Sequence, residues 1–185
     1  MNDEALRAAL REHAYLEGDF VLRSGRRSRY YLDKYRFETR PEILAELGRR
    51  LALAVAEHDP EAVRLAGPEL GAVALAAAAS LASELPFLIV RKEAKGYGTS
   101  NRVEGAYDEG DRVCVIEDVV TSGGALLASV SALRAAGLIV GTAVCVVDRE
   151  EGGGDALASA GVSLHGLLRA SELVAEPKTA GKPHG

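Results

Sequence analysis

The sequence contains little of what builds disulfide-rich or metal-binding proteins. It has no tryptophan, two cysteines and four histidines among 185 residues. Cys114 and Cys145 lie inside apolar runs, which predicts buried, reduced thiols rather than a disulfide framework. The histidines are scattered along the chain without the spacing of metal ligands. We therefore assign no disulfide or histidine chemistry to this chain.

Long apolar runs are also missing. The longest stretch, residues 70–82, is interrupted by Ser80 and is too short to span a bilayer. The N-terminus carries acids and arginine early, in place of a basic segment followed by an apolar one, so we expect no signal peptide. Hydrophobic residues make up 48% of the chain, which is typical of a globular protein. These features predict a soluble, cytoplasmic protein with no membrane partner.

An excess of positive charge is absent as well. The formal net charge of −5 argues against nucleic acid as a partner. Two basic clusters, at residues 23–29 and 91–95, run against this average, although a solvated surface turn is the ordinary explanation for such a cluster. The length predicts a single domain over residues 1–175. Residues 176–185, rich in proline, glycine and lysine, are expected to form a disordered tail.

The most informative stretch of the chain is residues 113–125. Its β-branched start predicts a strand buried on both faces. The acids Glu117 and Asp118 follow, and then a turn rich in glycine and hydroxyl groups. A helix is predicted from about residue 122 to 136, because leucine and valine recur there at three- and four-residue spacing.

The turn between this strand and this helix is suited to a phosphate. Unpaired backbone N–H groups gather at the positive end of the helix, and Gly123 and Gly124 let the backbone close on a ligand. Glu117 and Asp118 would repel a bare phosphate, but ribose hydroxyls or a magnesium-bound sugar would suit them. The stretch matches neither a P-loop nor a dinucleotide fingerprint. The residues alone thus predict a sugar-phosphate site.

Strands and helices alternate along the rest of the chain. This alternation predicts an α/β fold with a mostly parallel, twisted sheet and helices on both faces. The expected elements are a helix over 2–14, a hairpin over 20–33 with a basic turn, a helix from Pro41 to about Glu57 capped by Thr39, a strand over 62–66, a helix to about Ser83, strands over 87–90 and 138–147, a short helix ending near Gly161 and a strand over 162–168.

Four motifs, in this order, resemble those of the orotate phosphoribosyltransferases, members of the type I phosphoribosyltransferase family. The hairpin with its tyrosine pair resembles their N-terminal signature. The run Arg-Lys-Glu-x-Lys at 91–95, followed by glycines, resembles their catalytic loop. The acid pair with Thr-Ser-Gly-Gly resembles the phosphoribosyl pyrophosphate motif, and Asp148-Arg149 resembles the segment that binds the orotate carboxylate. The resemblance covers about residues 15–170 and implies the type I fold with an N-terminal hood over about residues 1–40.

The resemblance implies the transfer of 5-phosphoribose from phosphoribosyl pyrophosphate to orotate, giving orotidine 5′-monophosphate and pyrophosphate in UMP biosynthesis. The implied catalytic residues are Arg91, Lys92, Lys95 and Asp118. The implied contacts of phosphoribosyl pyrophosphate are Arg23, Arg91, Lys92, Lys95, Tyr97, Glu117, Asp118, Val119, Val120, Thr121, Ser122, Gly123, Gly124 and Ala125. The implied contacts of orotate are Tyr30, Tyr31, Thr121 and Arg149. Mg²⁺ is expected to arrive on phosphoribosyl pyrophosphate, with Glu117 and Asp118 as its candidate contacts.

The sequence departs from the family pattern at two positions, and the resemblance implies two further structural features. Arg23 stands where the family usually has lysine, and Tyr97 where many relatives have histidine. The turn over 67–71 is expected to bind pyrophosphate through backbone amides, and the Glu69-Leu70 peptide is the candidate for a cis bond. The loop over 91–101 is expected to complete the neighbouring subunit's site, which implies a homodimer.

Two other functions stay open at this point. The chain could transfer phosphoribose to another base, such as hypoxanthine or uracil, in which case Arg149 would have no carboxylate to bind. It could also be a regulator that senses phosphoribosyl pyrophosphate without catalysis. The intact cationic loop favours an enzyme.

Overall fold

The fold was analysed in a computed structural model that describes residues 1–21, 27–93 and 102–173. The helices are α1 Asp3–Ala14, α2 Lys34–Glu38, α3 Pro41–His58, α4 Gly71–Ser83, α5 Gly124–Ala135, α6 Gly153–Ser159 and α7 Ala170–Leu173. The strands are β1 Tyr15–Val21, β2 Arg27–Leu32, β3 Arg64–Pro68, β4 Phe87–Val90, β5 Val103–Glu104, β6 Arg112–Val120, β7 Ile139–Asp148 and β8 Ser163–Arg169.

Six strands form one sheet in the order β5-β4-β3-β6-β7-β8. All neighbours are parallel except β4 and β5. The chain moves from β3 to β4 on one side and from β6 to β7 on the other, so its direction of winding reverses between β3 and β6. Open α/β sheets bind ligands at the carboxyl ends of the strands where this reversal occurs. Strands β1 and β2 form a separate antiparallel hairpin.

Two apolar clusters cover the two faces of the sheet. Cys114 and Ile116 of β6 belong to a cluster that includes residues of α1, α3 and α4. Val113 and Val115 belong to a second cluster, with residues of α5 and α6. Successive side chains of a strand point to opposite faces, and here both faces meet helices. The predicted mostly parallel sheet with helices on both faces is confirmed.

The cysteines agree with the sequence-based expectation. Cys114 and Cys145 are buried and free of disulfides, as predicted, and burial raises the pKa of both thiols. Within the described ranges, none of the helices has the length and apolar character needed to cross a membrane.

The prediction that Thr39 caps α3 is wrong. Arg40 holds the N-cap position and makes no side-chain capping hydrogen bond. The Thr39 hydroxyl instead donates to the Tyr35 carbonyl, 2.6 Å away, because the short helix α2 ends there. Neither α2 nor β5 was predicted, since each is too short to show a period. The predicted turn of the hairpin, Ser24 to Ser28, lies mostly outside the described residues, as does the predicted tail.

Gly48 allows α3 and α4 to approach closely. A Cβ at this position would lie 2.7 Å from the Ala78 carbonyl carbon and equally close to the Ala78 Cβ. The Gly48→Ala substitution should therefore lower the free energy of unfolding by about 1–3 kcal/mol through overpacking. Chemical denaturation measures this change.

Gly154→Ala in α6 is the matched control. A Cβ there would meet no atom within 4 Å, so alanine should be neutral or stabilising by about 0.5–1 kcal/mol. Equal effects of the two substitutions would contradict the packing explanation.

Candidate active site

Two loops meet at the reversal point of the sheet. One leaves β3 over residues 67–71, and the other leaves β6 with the turn Thr121 to Gly123. The carboxyl ends of neighbouring parallel strands lie at the same edge, so the two loops are side by side. The two predicted phosphate-binding segments are far apart in the sequence, and the order of the strands gives the physical reason why they lie next to each other.

The acid pair at the end of β6 divides between the two faces of the sheet. Glu117 lines a cleft of about 430 Å³ together with residues 119–126. Asp118 points the other way, toward α2 and the start of α4, where Lys34 Nζ donates to its Oδ2. The Glu117 carboxylate also accepts from the Asp118 backbone N–H at 3.0 Å. The two carboxylates therefore serve different neighbourhoods.

Burial and the charge of Asp118 shift the pKa values of Glu117 and Lys34. Burial, with the charge of Asp118, raises the pKa of Glu117. Burial alone would lower the pKa of Lys34, but its hydrogen bond to Asp118 and the charge of Asp118 outweigh burial and raise it. Lys34 therefore stays an ammonium ion beside Asp118, which is only 2% exposed.

The turn after β6 is built around glycine. Gly123 has a φ of 79°, in the left-handed region that favours glycine, and it stands at the N-cap of α5. Gly153 of α6 packs beneath the turn, where a Cβ would lie 2.5 Å from the Thr121 carbonyl oxygen. Thr121 and Ser122 are exposed, and the first N–H groups of α5 have no partner within the helix. This geometry suits a phosphate at the positive end of α5.

The loop over residues 67–71 carries the cis peptide that the resemblance implied, between Glu69 and Leu70. Glu69 Oε1 accepts from the Lys92 backbone N–H at 2.7 Å. The Glu69 carboxylate therefore has a hydrogen-bond partner in the backbone at the end of β4. This contact explains how an acid can be present in a loop expected to bind pyrophosphate.

The predicted catalytic loop begins at the end of β4. The Arg91 N–H donates to the Arg102 carbonyl at 2.7 Å, and Arg102 Nε donates back to the Arg91 carbonyl at 3.0 Å. Arg91 also forms an ion pair with Glu104, 3.8 Å between Nη1 and Oε1. Lys95 and Tyr97 lie outside the described residues, as does Arg23. The structure thus fixes the base of this loop beside the loop over 67–71.

Arg149 lies where the sequence predicted, directly after β7. Its backbone N–H donates to the Val120 carbonyl at 2.8 Å, which attaches it to the phosphate turn. Its guanidinium forms an ion pair with Glu151 at 2.9 Å, and its side chain is 7% exposed. An ion pair with Glu150 or Glu151 was the alternative that the sequence left open for Arg149, and the structure shows the pair with Glu151.

The hairpin contributes Tyr31, whose ring packs against Phe20 with 5.6 Å between centroids. Tyr31 is 42% exposed, so an aromatic surface is available on the hairpin. The backbone of Tyr30 pairs with Glu17 in the same hairpin. Because α2 follows β2 directly, the hairpin is joined to the acid pair through Lys34.

Two functional candidates in α2 were missed by sequence reasoning. Lys34 contacts Asp118 across 84 positions of sequence. Glu38, one turn later, is 4% exposed, and its Oε1 has no hydrogen-bond partner among the described residues. Burial raises the pKa of Glu38 to about 8, with a further contribution from Asp118 that Lys34 opposes. The sequence feature that could have indicated these two residues is a lysine and a glutamate spaced four residues apart, shortly after the tyrosine pair.

A magnesium ion held by the protein alone does not fit this arrangement. The described ranges contain no group of three or more His, Cys, Asp or Glu placed to hold a metal ion. Glu117 and Asp118 point apart, and Asp118 is already paired with an ammonium group. Any Mg²⁺ at this site would need most of its oxygen ligands from a substrate or from water.

The family model of the phosphoribosyl transferase domain matches residues 37–164. Orotate phosphoribosyltransferase from Methanocella arvoryzae is 49% identical to the chain over 157 residues, covering 85% of this chain and 88% of that protein. The enzyme of the same name from Halobacterium salinarum is 48% identical, with coverage of 92% and 93%. The chain belongs to the phosphoribosyltransferase family, among the orotate phosphoribosyltransferases.

Solved structures show the same fold. Orotate phosphoribosyltransferase from Aeropyrum pernix has a TM-score of 0.81 and is 38% identical, covering 91% of this chain and 95% of its own. The Mycobacterium tuberculosis enzyme in complex with phosphoribosyl pyrophosphate has a TM-score of 0.77 at 29% identity, covering 91% and 96%. The predicted type I phosphoribosyltransferase fold is confirmed.

The buried Glu38 should make stability depend on pH. Its pKa rises from an ordinary 4.5 to about 8 in the folded protein, so the folded state binds this proton more tightly than the unfolded state. Its contribution to the free energy of unfolding is therefore largest at low pH and is lost as pH rises toward 8.

Glu38→Gln should remove this dependence. Relative to wild type, the variant should gain up to about 1.4 kcal/mol of stability per pH unit between about pH 5 and pH 8, and the gain should then level off. Urea denaturation across this range measures the difference. Parallel pH curves for the two proteins would contradict the assignment.

Proposed function

We infer that the chain is an orotate phosphoribosyltransferase. It transfers 5-phosphoribose from phosphoribosyl pyrophosphate to orotate, in the synthesis of UMP. The observation that carries this proposal is the junction of Arg149 and the phosphate turn, where the Arg149 N–H donates to the Val120 carbonyl. This hydrogen bond holds the Arg149 backbone beside a turn suited to a 5′-phosphate, and a guanidinium is suited to a carboxylate, which supports the proposal.

The charges around the junction fit the reaction. Breaking the bond between C1′ and pyrophosphate develops positive charge on the ribose and negative charge on the leaving group, and a catalyst must stabilise both. Glu117 and Asp118 are proposed to bind the ribose hydroxyls, and Asp118 to stabilise the positive charge, since burial raises the pKa of Glu117 and favours its neutral form. Residues 121–125 bind the 5′-phosphate. Catalysis then depends on orientation and electrostatics, with no protein nucleophile.

The leaving group is assigned to the loops after β3 and β4. Arg91, Lys92 and Lys95 are proposed to contact pyrophosphate, together with Arg23 and Tyr97. Mg²⁺ is proposed to enter as part of the substrate, bound to phosphoribosyl pyrophosphate, because Glu117 and Asp118 point apart and Asp118 is paired with Lys34. Tyr30, Tyr31 and Thr121 would complete the base site beside Arg149. The cytoplasmic location stays a prediction.

Orotate-dependent release of pyrophosphate tests the function, and a panel of bases tests the acceptor. Arg149→Met should raise the KM for orotate by about 100-fold, the loss of a bidentate charged hydrogen bond worth roughly 3 kcal/mol. Binding of phosphoribosyl pyrophosphate should not change. Wild-type activity with uracil or hypoxanthine that exceeds the activity with orotate would overturn the assignment.

We also propose that the loop over 91–101 acts on the neighbouring subunit's site in a homodimer. At orotate concentrations far below the raised KM of Arg149→Met, Lys95→Ala and Arg149→Met should each be nearly inactive yet folded. If the loop acts across the dimer, a mixture of the two variants contains heterodimers with one intact site. After random exchange of subunits, such a mixture should recover about a quarter of wild-type activity.

The mixing experiment has a clear negative outcome. If the loop serves its own subunit, no heterodimer has an intact site and the mixture stays inactive. Lys178→Ala, in the C-terminal stretch, is the control for loss of a lysine and should retain full activity. Near-normal turnover of Lys95→Ala alone would contradict the assignment of the loop itself.

A further inference from the structure

Lys34 is the cation nearest to the proposed ribose-binding acids among the described residues that contact them. Its Nζ donates to Asp118 Oδ2, and its side chain is about one-third exposed, while Asp118 is buried. The contact therefore lies at the edge of the site, with one partner fixed in the core. A surface ion pair of two mobile side chains would contribute little, but here one partner is held by the strand.

The start of α4 is shaped around this pair. A Cβ on Gly71 would overlap the Asp118 carboxylate and would lie 2.6 Å from Lys34 Nζ. Gly71 ends the loop that carries the Glu69-Leu70 cis peptide. The pair thus lies directly against the loop assigned to pyrophosphate, and only a residue without a side chain leaves room for it.

The Asp118 carboxylate has a defined second contact. Its Oδ1 accepts from the Val119 backbone N–H at 2.5 Å, while its Oδ2 accepts from Lys34. The two hydrogen bonds fix both oxygens of the carboxylate. Loss of Lys34 would leave Oδ2 buried without its counter-ion and free to turn toward Glu38, which is also buried nearby.

Lys34 also joins the site to the hairpin. It follows β2 after only one residue, Asp33, whose N–H donates to the Ala14 carbonyl at 2.9 Å. The residue that contacts Asp118 therefore lies two positions after the strand that carries the proposed base-binding tyrosines. A single short segment connects the base side and the ribose side of the site.

We propose that Lys34 is a positioning residue that orients the Asp118 carboxylate for the ribose of phosphoribosyl pyrophosphate. It supplies a cation next to the loop over 67–71, which contains no lysine of its own. This inference rests on the proposed binding of ribose hydroxyls by Asp118. Lys34 acts through Asp118 and needs no contact with the reacting atoms.

The test is calorimetric binding of the magnesium complex of phosphoribosyl pyrophosphate, without orotate. Lys34→Met should weaken binding by about 10- to 100-fold, the range found when a partner that orients a ligand-binding group is removed. Lys34→Arg keeps the charge and should restore part of the affinity. Arg36→Met, on the same helix and exposed, is the matched control and should bind as wild type does.

A double-mutant cycle separates positioning from a general effect on the hood. In an Asp118→Asn background, Lys34→Met should cause little further loss, because its effect passes through that carboxylate. In steady-state assays Lys34→Met should raise the KM for phosphoribosyl pyrophosphate more than the KM for orotate. Equal loss for both substrates, or additive effects in the cycle, would overturn the positioning role. Thermal unfolding of every variant shows whether the fold is kept. If Lys34→Met alone does not fold, the double variant, which has no charge at this contact, is compared with Asp118→Asn instead.

The outcomes also separate this inference from the proposed function. If wild-type protein fails to bind the magnesium complex, the proposed function is wrong. If wild type binds and releases pyrophosphate with orotate but Lys34→Met binds equally well, only the role of Lys34 is wrong.

Discussion

The burial of two adjacent acids at the end of β6 is the constraint around which the site is built. Strand geometry directs Glu117 and Asp118 to opposite faces, and each carboxyl loses hydration that must be compensated. Asp118 is compensated by Lys34 and by the Val119 N–H. For Glu117 the loss of hydration raises the pKa of the carboxyl, and the Asp118 N–H donates a hydrogen bond to it. The buried Asp118 carboxylate thus explains why α2 carries a cation here and why residue 71 has no side chain.

Hydrogen bonds to backbone groups connect the ends of neighbouring strands. The Arg149 N–H joins the end of β7 to Val120, and Glu69 joins the end of β3 to the Lys92 N–H at the end of β4. Groups held by hydrogen bonds to strand ends keep their relative positions when a ligand arrives. Since the proposed reaction depends on orientation, this rigidity is the main contribution of the sheet to catalysis.

The fold and the phosphate turn could be predicted because both depend on local patterns. Alternating apolar runs identified the sheet, and the acids followed by Thr-Ser-Gly-Gly identified the turn. The Lys34–Asp118 pair could not be predicted, because nothing in a local pattern shows which hood cation meets a residue 84 positions away. Helix α2 has five residues, which is too short to show a period, and its end at Thr39 misled the capping prediction. The cis peptide was expected only through family resemblance.

Two of the charged groups proposed to bind substrates are already paired within the protein. Asp118 is paired with Lys34, and Arg149 with Glu151. In the proposed function the orotate carboxylate displaces Glu151 from the guanidinium, so the net gain is smaller than an unpaired guanidinium would give. Discrimination between bases must then come from geometry, since a base without a carboxylate would leave the Arg149–Glu151 pair intact and gain nothing from it. A base with a carboxylate at the wrong position would break that pair without replacing it, which is the less favourable result. If the two residues bind substrate as proposed, these internal counter-ions make binding depend on the position of the carboxylate and not on its charge alone.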